Sequence, residues 1–149
     1  MTLYIFIIIL GLIADRISKI YAINNFIENP YFTKIINFIY VENRGAAFGI
    51  LQNRRIFFVI LTILVVIGII IYFIKNYKKN PKLLNIALSL LVSGALGNFY
   101  DRIFHSYVVD FIEFSFINFP VFNIADVLIT SGSVLMIIYI IFLEEKKEK

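Results

Sequence analysis

Val108-Val109-Asp110-Phe111, an apolar loop, and then Phe122-Asn123-Ile124-Ala125-Asp126 at the head of another apolar run form the stretch on which the reading of the chain turns. Two aspartates stand in surroundings where a bilayer makes a lone charge costly. An isolated intramembrane carboxylate costs roughly 2.5–3.5 kcal/mol on insertion scales. Two carboxyls that share one proton escape most of that cost and supply one acid and one base. The rest of the chain reads as the means of holding the pair together.

The surrounding composition places the stretch in a membrane. Hydrophobic residues make up 60% of the 149 residues, above the roughly 45–50% of a soluble domain, and mean hydropathy is +0.88. One domain spanning residues 1–149 is expected. The net charge of +4 gives no reason to expect nucleic acid, because the basic residues lie between apolar runs, where they set topology. Cys is absent and His105 is the one histidine. That excludes a disulfide framework, a thiolate nucleophile and a histidine-rich metal site. Met1 to Ala14 lacks a basic leader and a small-residue cleavage site, so it reads as a retained helix.

Four apolar runs emerge, at about 3–23, 56–74, 83–102 and 122–143. The expectation is an all-α membrane protein of four transmembrane helices, with a small extracytoplasmic β element between helices 1 and 2. The first run carries Asp15, Arg16 and Lys19 in its second half. Arg16 and Lys19 are long enough to snorkel to an interface; Asp15 is not, and is expected to face protein or a wet cleft. Tyr31–Val41 suggests the short strand. Lys75, Lys78, Lys79 and Lys82 crowd one short loop, which the positive-inside rule makes cytoplasmic. Both termini then lie in the cytoplasm, and 24–55 and 104–121 lie outside. Arg54 and Arg55 mildly oppose this orientation. The tail Glu144–Lys149 is charged and reads as frayed.

On this topology Asp15, Asn43, Asn98, Arg102, Asp110, Asn123 and Asp126 all fall toward the outer leaflet. Asn123 and Asp126 share a helix face, as do Asn98 and Arg102; Asp101 points elsewhere and reads as structural, paired with Arg or Lys at the interface. Two neighbouring carboxylates and a water suit peptide hydrolysis without a metal. Bland readings stand beside this one. Asp15 serves equally as half of an ion pair with Arg16 or Lys19. Arg102 serves as a counter-charge, and Asn123 as a helix N-cap. The stretch Ser93-Gly94-Ala95-Leu96-Gly97 serves as a close-packing face. A proton-conducting subunit is the chief rival, disfavoured by the apolar inner halves of the spans; a scaffold protein is the second.

Five motifs in order resemble the lipoprotein signal peptidases, the signal peptidase II family of bacterial aspartic peptidases. They are Asp15-Arg16-Ile17-Ser18-Lys19, Asn43-Arg44-Gly45-Ala46-Ala47-Phe48, Ser93 through Arg102, Val108-Val109-Asp110-Phe111 and Phe122-Asn123-Ile124-Ala125-Asp126. Ser93 stands where the family usually has Gly. The resemblance implies that Asp110 and Asp126 are the catalytic pair. It implies that Asp15, Asn43, Gly45, Asn98, Arg102 and Asn123 bind substrate or support the site, with Asn43 and Arg102 near the substrate backbone. It implies a diacylglyceryl-modified prolipoprotein as substrate, cut before the lipidated cysteine, and sensitivity to globomycin. No cofactor or metal is expected. The expected partners are substrate and membrane lipid, with no nucleic acid, and the chain is expected to act as a monomer in the bacterial inner membrane.

Overall fold

A computed structural model describes residues 1–46 and 50–144. Ala47 and Phe48 of the second motif, and the tail beyond Glu144, lie outside the described residues. Four helices, α1 (Thr2–Phe26), α2 (Arg55–Asn76), α3 (Lys82–Phe104) and α4 (Ile124–Tyr139), are joined by two strands, β1 (Ile36–Asn43) and β2 (Val108–Phe114). A π-helical turn, Ile140–Glu144, extends α4. Among the described residues, three helical stretches are long and apolar enough to cross a membrane: Arg55–Asn76, Lys82–Phe104 and Ile124–Phe142. At 25 residues α1 has the length, about 37 Å at 1.5 Å per residue, but it carries Asp15, Arg16 and Lys19.

Burial is inverted relative to a water-soluble protein. Phe6, Ile17, Ile56 and Leu64 are exposed, whereas Lys19, Asn85, Asp101, Asp110 and Asn123 are buried. Lipid explains both halves of the pattern, since it solvates the apolar exterior and drives polar groups to find partners inside. The N-terminal half of α3 is less apolar than the sequence suggests. Asn85 and Ser89 are buried there, donating to Tyr77 O and Asn85 O respectively.

Helix α3 is the central post against which α1, α2 and α4 pack. Its small residues permit this. A Cβ on Gly94 would collide with the Ala125 carbonyl and with Ile129 of α4, so the two backbones touch there as in other small-residue membrane contacts. Ser93 sits on the neighbouring face and donates to the Ile8 carbonyl of α1 at 3.0 Å.

The β element is larger than the sequence suggests. β1 runs from Ile36 to Asn43 and reaches Tyr31 through an isolated bridge to Phe38. Its partner is β2, antiparallel, with Val41 opposite Asp110 and Asn43 opposite Val108. The stretch at 108–111 is therefore strand. The chain after β2 folds back so that Phe122 bridges Ile112, with Phe122 N donating to Ile112 O at 2.9 Å. This return delivers Asn123 and α4 alongside Asp110.

Asp15 faces protein, as expected, but the two basic residues of α1 depart from expectation. Lys19 does not snorkel: its side chain is 0% exposed, because three acceptors close around its ammonium. Arg16 is partly exposed but is turned inward to Asp101 at 2.9 Å. Asp101 pairs with basic residues, as expected, yet it is fully buried rather than at an interface.

Candidate active site

Asp110 is fixed by the sheet, and Asp126 by the first turn of α4. Asn123 caps that helix: its Oδ1 accepts from Asp126 N at 3.0 Å, and Asp126 Oδ2 accepts from Asn123 N at 3.1 Å. Such reciprocal capping satisfies two backbone donors that a helix start leaves without partners. It also fixes the Asp126 carboxylate. The Asn123 amide nitrogen then reaches out of the cap to Asp110 Oδ1 at 2.6 Å and to Asn98 Oδ1 at 3.1 Å. One side chain thus starts the helix and holds the other aspartate.

Every carboxylate oxygen of the pair has a donor. Asn43 Nδ2 donates to Asp110 Oδ2 at 2.9 Å, and Asn98 Nδ2 donates to Asp126 Oδ1 at 2.8 Å. Asn43 is itself oriented by Gly45 N, which donates to its Oδ1 at 2.9 Å. Burial, and next the neighbouring Asp126 carboxylate, push the Asp110 carboxyl up to about 7, against the pull of the Asn43 and Asn123 amides and of Lys19. Repulsion between nearby carboxylates is what gives a pair one easy and one difficult ionisation.

Both aspartates open into one cleft of about 420 Å3, lined also by Asn43, Gly45, Asn98 and Arg102. Arg102 lies over the Phe58 ring, with its guanidinium carbon 4.8 Å from the ring centre, and donates to the Gly45 carbonyl at 3.2 Å. Six of the eight residues singled out in the sequence thus line the cleft; Asn123 stands behind the pair, bonded to both. Asp15 is also behind the wall. Its Oδ1 accepts from Ala125 N in the first turn of α4 at 3.0 Å, and its Oδ2 pairs with Lys19 at 3.0 Å. Asp15 therefore supports the site without facing it. Gly97 makes room for it, since a Cβ there would lie 2.6 Å from Asp15 Oδ2.

Lys19 is the neighbour of the site that the sequence reading leaves out, although it closes the first motif. Its ammonium bonds Asp15, Asp101 at 2.9 Å and Asn98 Oδ1 at 3.0 Å. The pairing with Asp15 is open in the sequence through the i,i+4 spacing; the contacts with Asn98 and Asp101, which tie Lys19 to the site, are not. Among the described residues, no group of three or more His, Asp or Glu side chains is placed to hold a metal ion.

Comparison with known proteins identifies the family. Residues 7–142 match the family described as signal peptidase (SPase) II. The lipoprotein signal peptidase of Clostridium novyi is 46% identical over 143 residues, covering 92% of this chain and 96% of its own length. That of Clostridioides difficile is 42% identical over 147 residues, covering 97% and 98%. A solved bacterial membrane enzyme, determined by the in meso method at 2.3 Å resolution, has a TM-score of 0.90 at 37% identity, covering 100% of this chain and 94% of that one. With a family match over most of its length and relatives of this similarity, the chain belongs to the signal peptidase II family, the lipoprotein signal peptidases.

Proposed function

We propose that this protein is a membrane aspartic endopeptidase that removes signal peptides from diacylglyceryl-modified prolipoproteins, with Asp110 and Asp126 acting together on one water. The observation that carries this reading is the placement of both carboxylates in one cleft, each oxygen held by a donor. The ionised member of the pair takes a proton from water as its oxygen adds to the scissile carbonyl carbon. The protonated member gives its proton to the carbonyl oxygen. Collapse of the tetrahedral intermediate breaks the C–N bond: the proton held by the first carboxyl passes to the leaving nitrogen, and a hydroxyl of the intermediate returns its proton to the second as the carbonyl re-forms, which restores the pair's single proton. Positioned acid–base catalysis of this kind contributes typically about 10²–10⁴-fold. Asp110, with its carboxyl pushed up to about 7, suits a pair that retains one proton near neutrality.

Asn43 and Arg102 line the cleft beside the pair and are assigned to the substrate backbone, with Gly45 leaving the backbone close to it. Asn98, Asn123 and Asp15 hold the carboxylates in place. All these groups come from one chain, which supports a monomeric enzyme. The whole of 1–149 acts as one domain, with α1 as the fourth span: its Asp15–Lys19 pair cancels two of its charges. Lys75, Lys78, Lys79 and Lys82 favour both termini in the bacterial cytoplasm and the cleft toward the outer leaflet. The cleft is lined by Thr62 of α2 and Thr130 of α4 as well as by the polar groups of the pair, which suits the peptide; the acyl chains on the substrate cysteine are assigned to the surrounding lipid.

The test is a gel-shift cleavage assay with purified protein and a diacylglyceryl prolipoprotein. Wild type should release the signal peptide, globomycin should block it, and unlipidated precursor should be cut poorly or not at all. Folded Asp126→Asn protein should be inactive. Equal cleavage of lipidated and unlipidated precursor would remove the argument from membrane anchoring, and an active Asp126→Asn enzyme would remove the pair.

A further inference from the structure

Lys19 does not line the cleft, yet no cation in the described chain is more completely enclosed. Its ammonium has three protons, and each has an acceptor: Asp15 Oδ2, Asp101 Oδ2 and Asn98 Oδ1. The third contact leads to the aspartates. Asn98 Oδ1 accepts from both Lys19 and Asn123, so its two lone pairs are committed and its amide nitrogen must turn to Asp126. The Asn123 oxygen is committed to the α4 cap, so its nitrogen must turn to Asp110. An amide has no charge to fix its direction; the network fixes it. Here the network ends on a buried ammonium.

The balance of charge is a second, independent observation. Four carboxylates share this interior: Asp15 of α1, Asp101 of α3, Asp110 of β2 and Asp126 of α4. Three cations face them: Lys19, Arg16 bound to Asp101, and Arg102, which feels Asp126, Asp110 and Asp101. From β1 the cleft receives Asn43, and from α2 Thr62, neither charged. Four anions and three cations balance when one proton is added. Burial penalises net charge, so the interior favours the state in which the pair carries a single proton, and Asp15 and Asp101 are each tied to a cation.

We propose that Lys19 is the positioning residue that holds the Asp110–Asp126 pair at one shared proton and aims the Asn98 and Asn123 amides at both carboxylates. This rests on the assignment of the pair as catalytic. Without the ammonium, two cations face four carboxylates, and the interior balances only with two protons. The pair is then held doubly protonated, with no base to take the proton from water. The reverse change, loss of one fixed anion, lets the pair give up its single proton too easily.

The experiment compares pH–kcat/KM profiles of wild type, Lys19→Met, Asp101→Asn, their double mutant and Lys19→Arg, all as full-length protein in lipid. The Lys19→Met profile should move to higher pH by about one unit, a tenfold change in the ratio of protonation states. Asp101→Asn keeps an oxygen for Val109 N, which donates to Asp101 Oδ2 at 3.2 Å, and should move the profile to lower pH. The double mutant should return it, and Lys19→Arg should leave its position unchanged whatever happens to the rate. A purely structural lysine lowers rate or stability without moving either limb. Folded Lys19→Met with unmoved limbs overturns the proposal, and so does an unmoved Asp101→Asn profile, which decides the matter if Lys19→Met does not fold. An active Asp110→Asn enzyme, by contrast, overturns the catalytic pair itself, so the two failures are distinguishable.

Discussion

Replacing Asp110 by Asn removes the charge and keeps the shape, but the hydrogen-bond geometry shows that it is not a silent swap. In the wild type both Asp110 oxygens accept from amide nitrogens, Asn123 Nδ2 on one side and Asn43 Nδ2 on the other. An asparagine there has one oxygen and one NH2, so it opposes one neighbour with donor against donor. Leaving a buried polar group unpaired costs about 1–3 kcal/mol. Turning the Asn123 amide would break the α4 cap and the bond to Asn98. Turning Asn43 sacrifices only the Gly45 N–H bond, so the loss is confined to one unpaired buried donor, about 1–3 kcal/mol. The NH2 of the substituted side chain should therefore face a turned Asn43, with the α4 start intact. Removal of a buried carboxylate offsets part of the loss, and the melting temperature should fall by no more than about 2–4 °C per kcal/mol lost. Cleavage should fall by about 10²–10⁴-fold, equivalent to about 3–5 kcal/mol of barrier at 1.36 kcal/mol per tenfold. The assay pairs thermal unfolding in detergent with the gel shift on lipidated precursor. The double mutant with Asp126→Asn should be little worse than either single one, because the two act as a unit. Folded Asp110→Asn protein that cleaved at near wild-type rate would refute the mechanism.

Four further outcomes are expected. Cleavage should decline as pH rises through about 7, as the retained proton is lost. The Asp110 carboxyl ionises less readily in the folded chain than at its ordinary value of 3.8; its contribution to stability is therefore full below about 3.8 and lost as pH rises through about 7, a dependence that unfolding scans should find reduced in Asp110→Asn. Gly97→Ala should destabilise by about 1–3 kcal/mol despite the better helix propensity of Ala. The added Cβ meets an Asp15 carboxylate locked by Lys19 and Ala125 N, and a melting curve that rose would contradict this. An external thiol reagent should label a cysteine at Asn29 and miss one at Asn80; the reverse pattern would invert the proposed topology.

Much of the site is legible in the sequence because its residues obey local rules. Asn123 precedes an apolar run and caps it, and Asn98 and Arg102 share one helix face that meets the cleft. The small residues around Gly94 mark the contact with α4. What is not legible depends on distant partners. Val108–Phe114 lacks the alternation of a half-buried strand; it is a strand because β1, far earlier in the chain, pairs with it. Lys19 reads as able to reach an interface because nothing nearby in sequence announces Asn98 and Asp101, which arrive on α3 to enclose it. Asp101 reads as a boundary residue for the same reason. Side-chain length says how far an ammonium can reach, and only tertiary packing says which way it goes.

The double duty of Asn123 bears on how such an enzyme is made safely. During synthesis α4 is the last of the four helices to leave the ribosome. Until its first turn closes on Asn123, Asp110 lacks one of its amides and Asp126 has no fixed direction. Starting the helix and arming the enzyme are one event. On the proposed mechanism, a nascent chain threading into a crowded membrane, among other half-inserted chains, gains hydrolytic power only with its final helix.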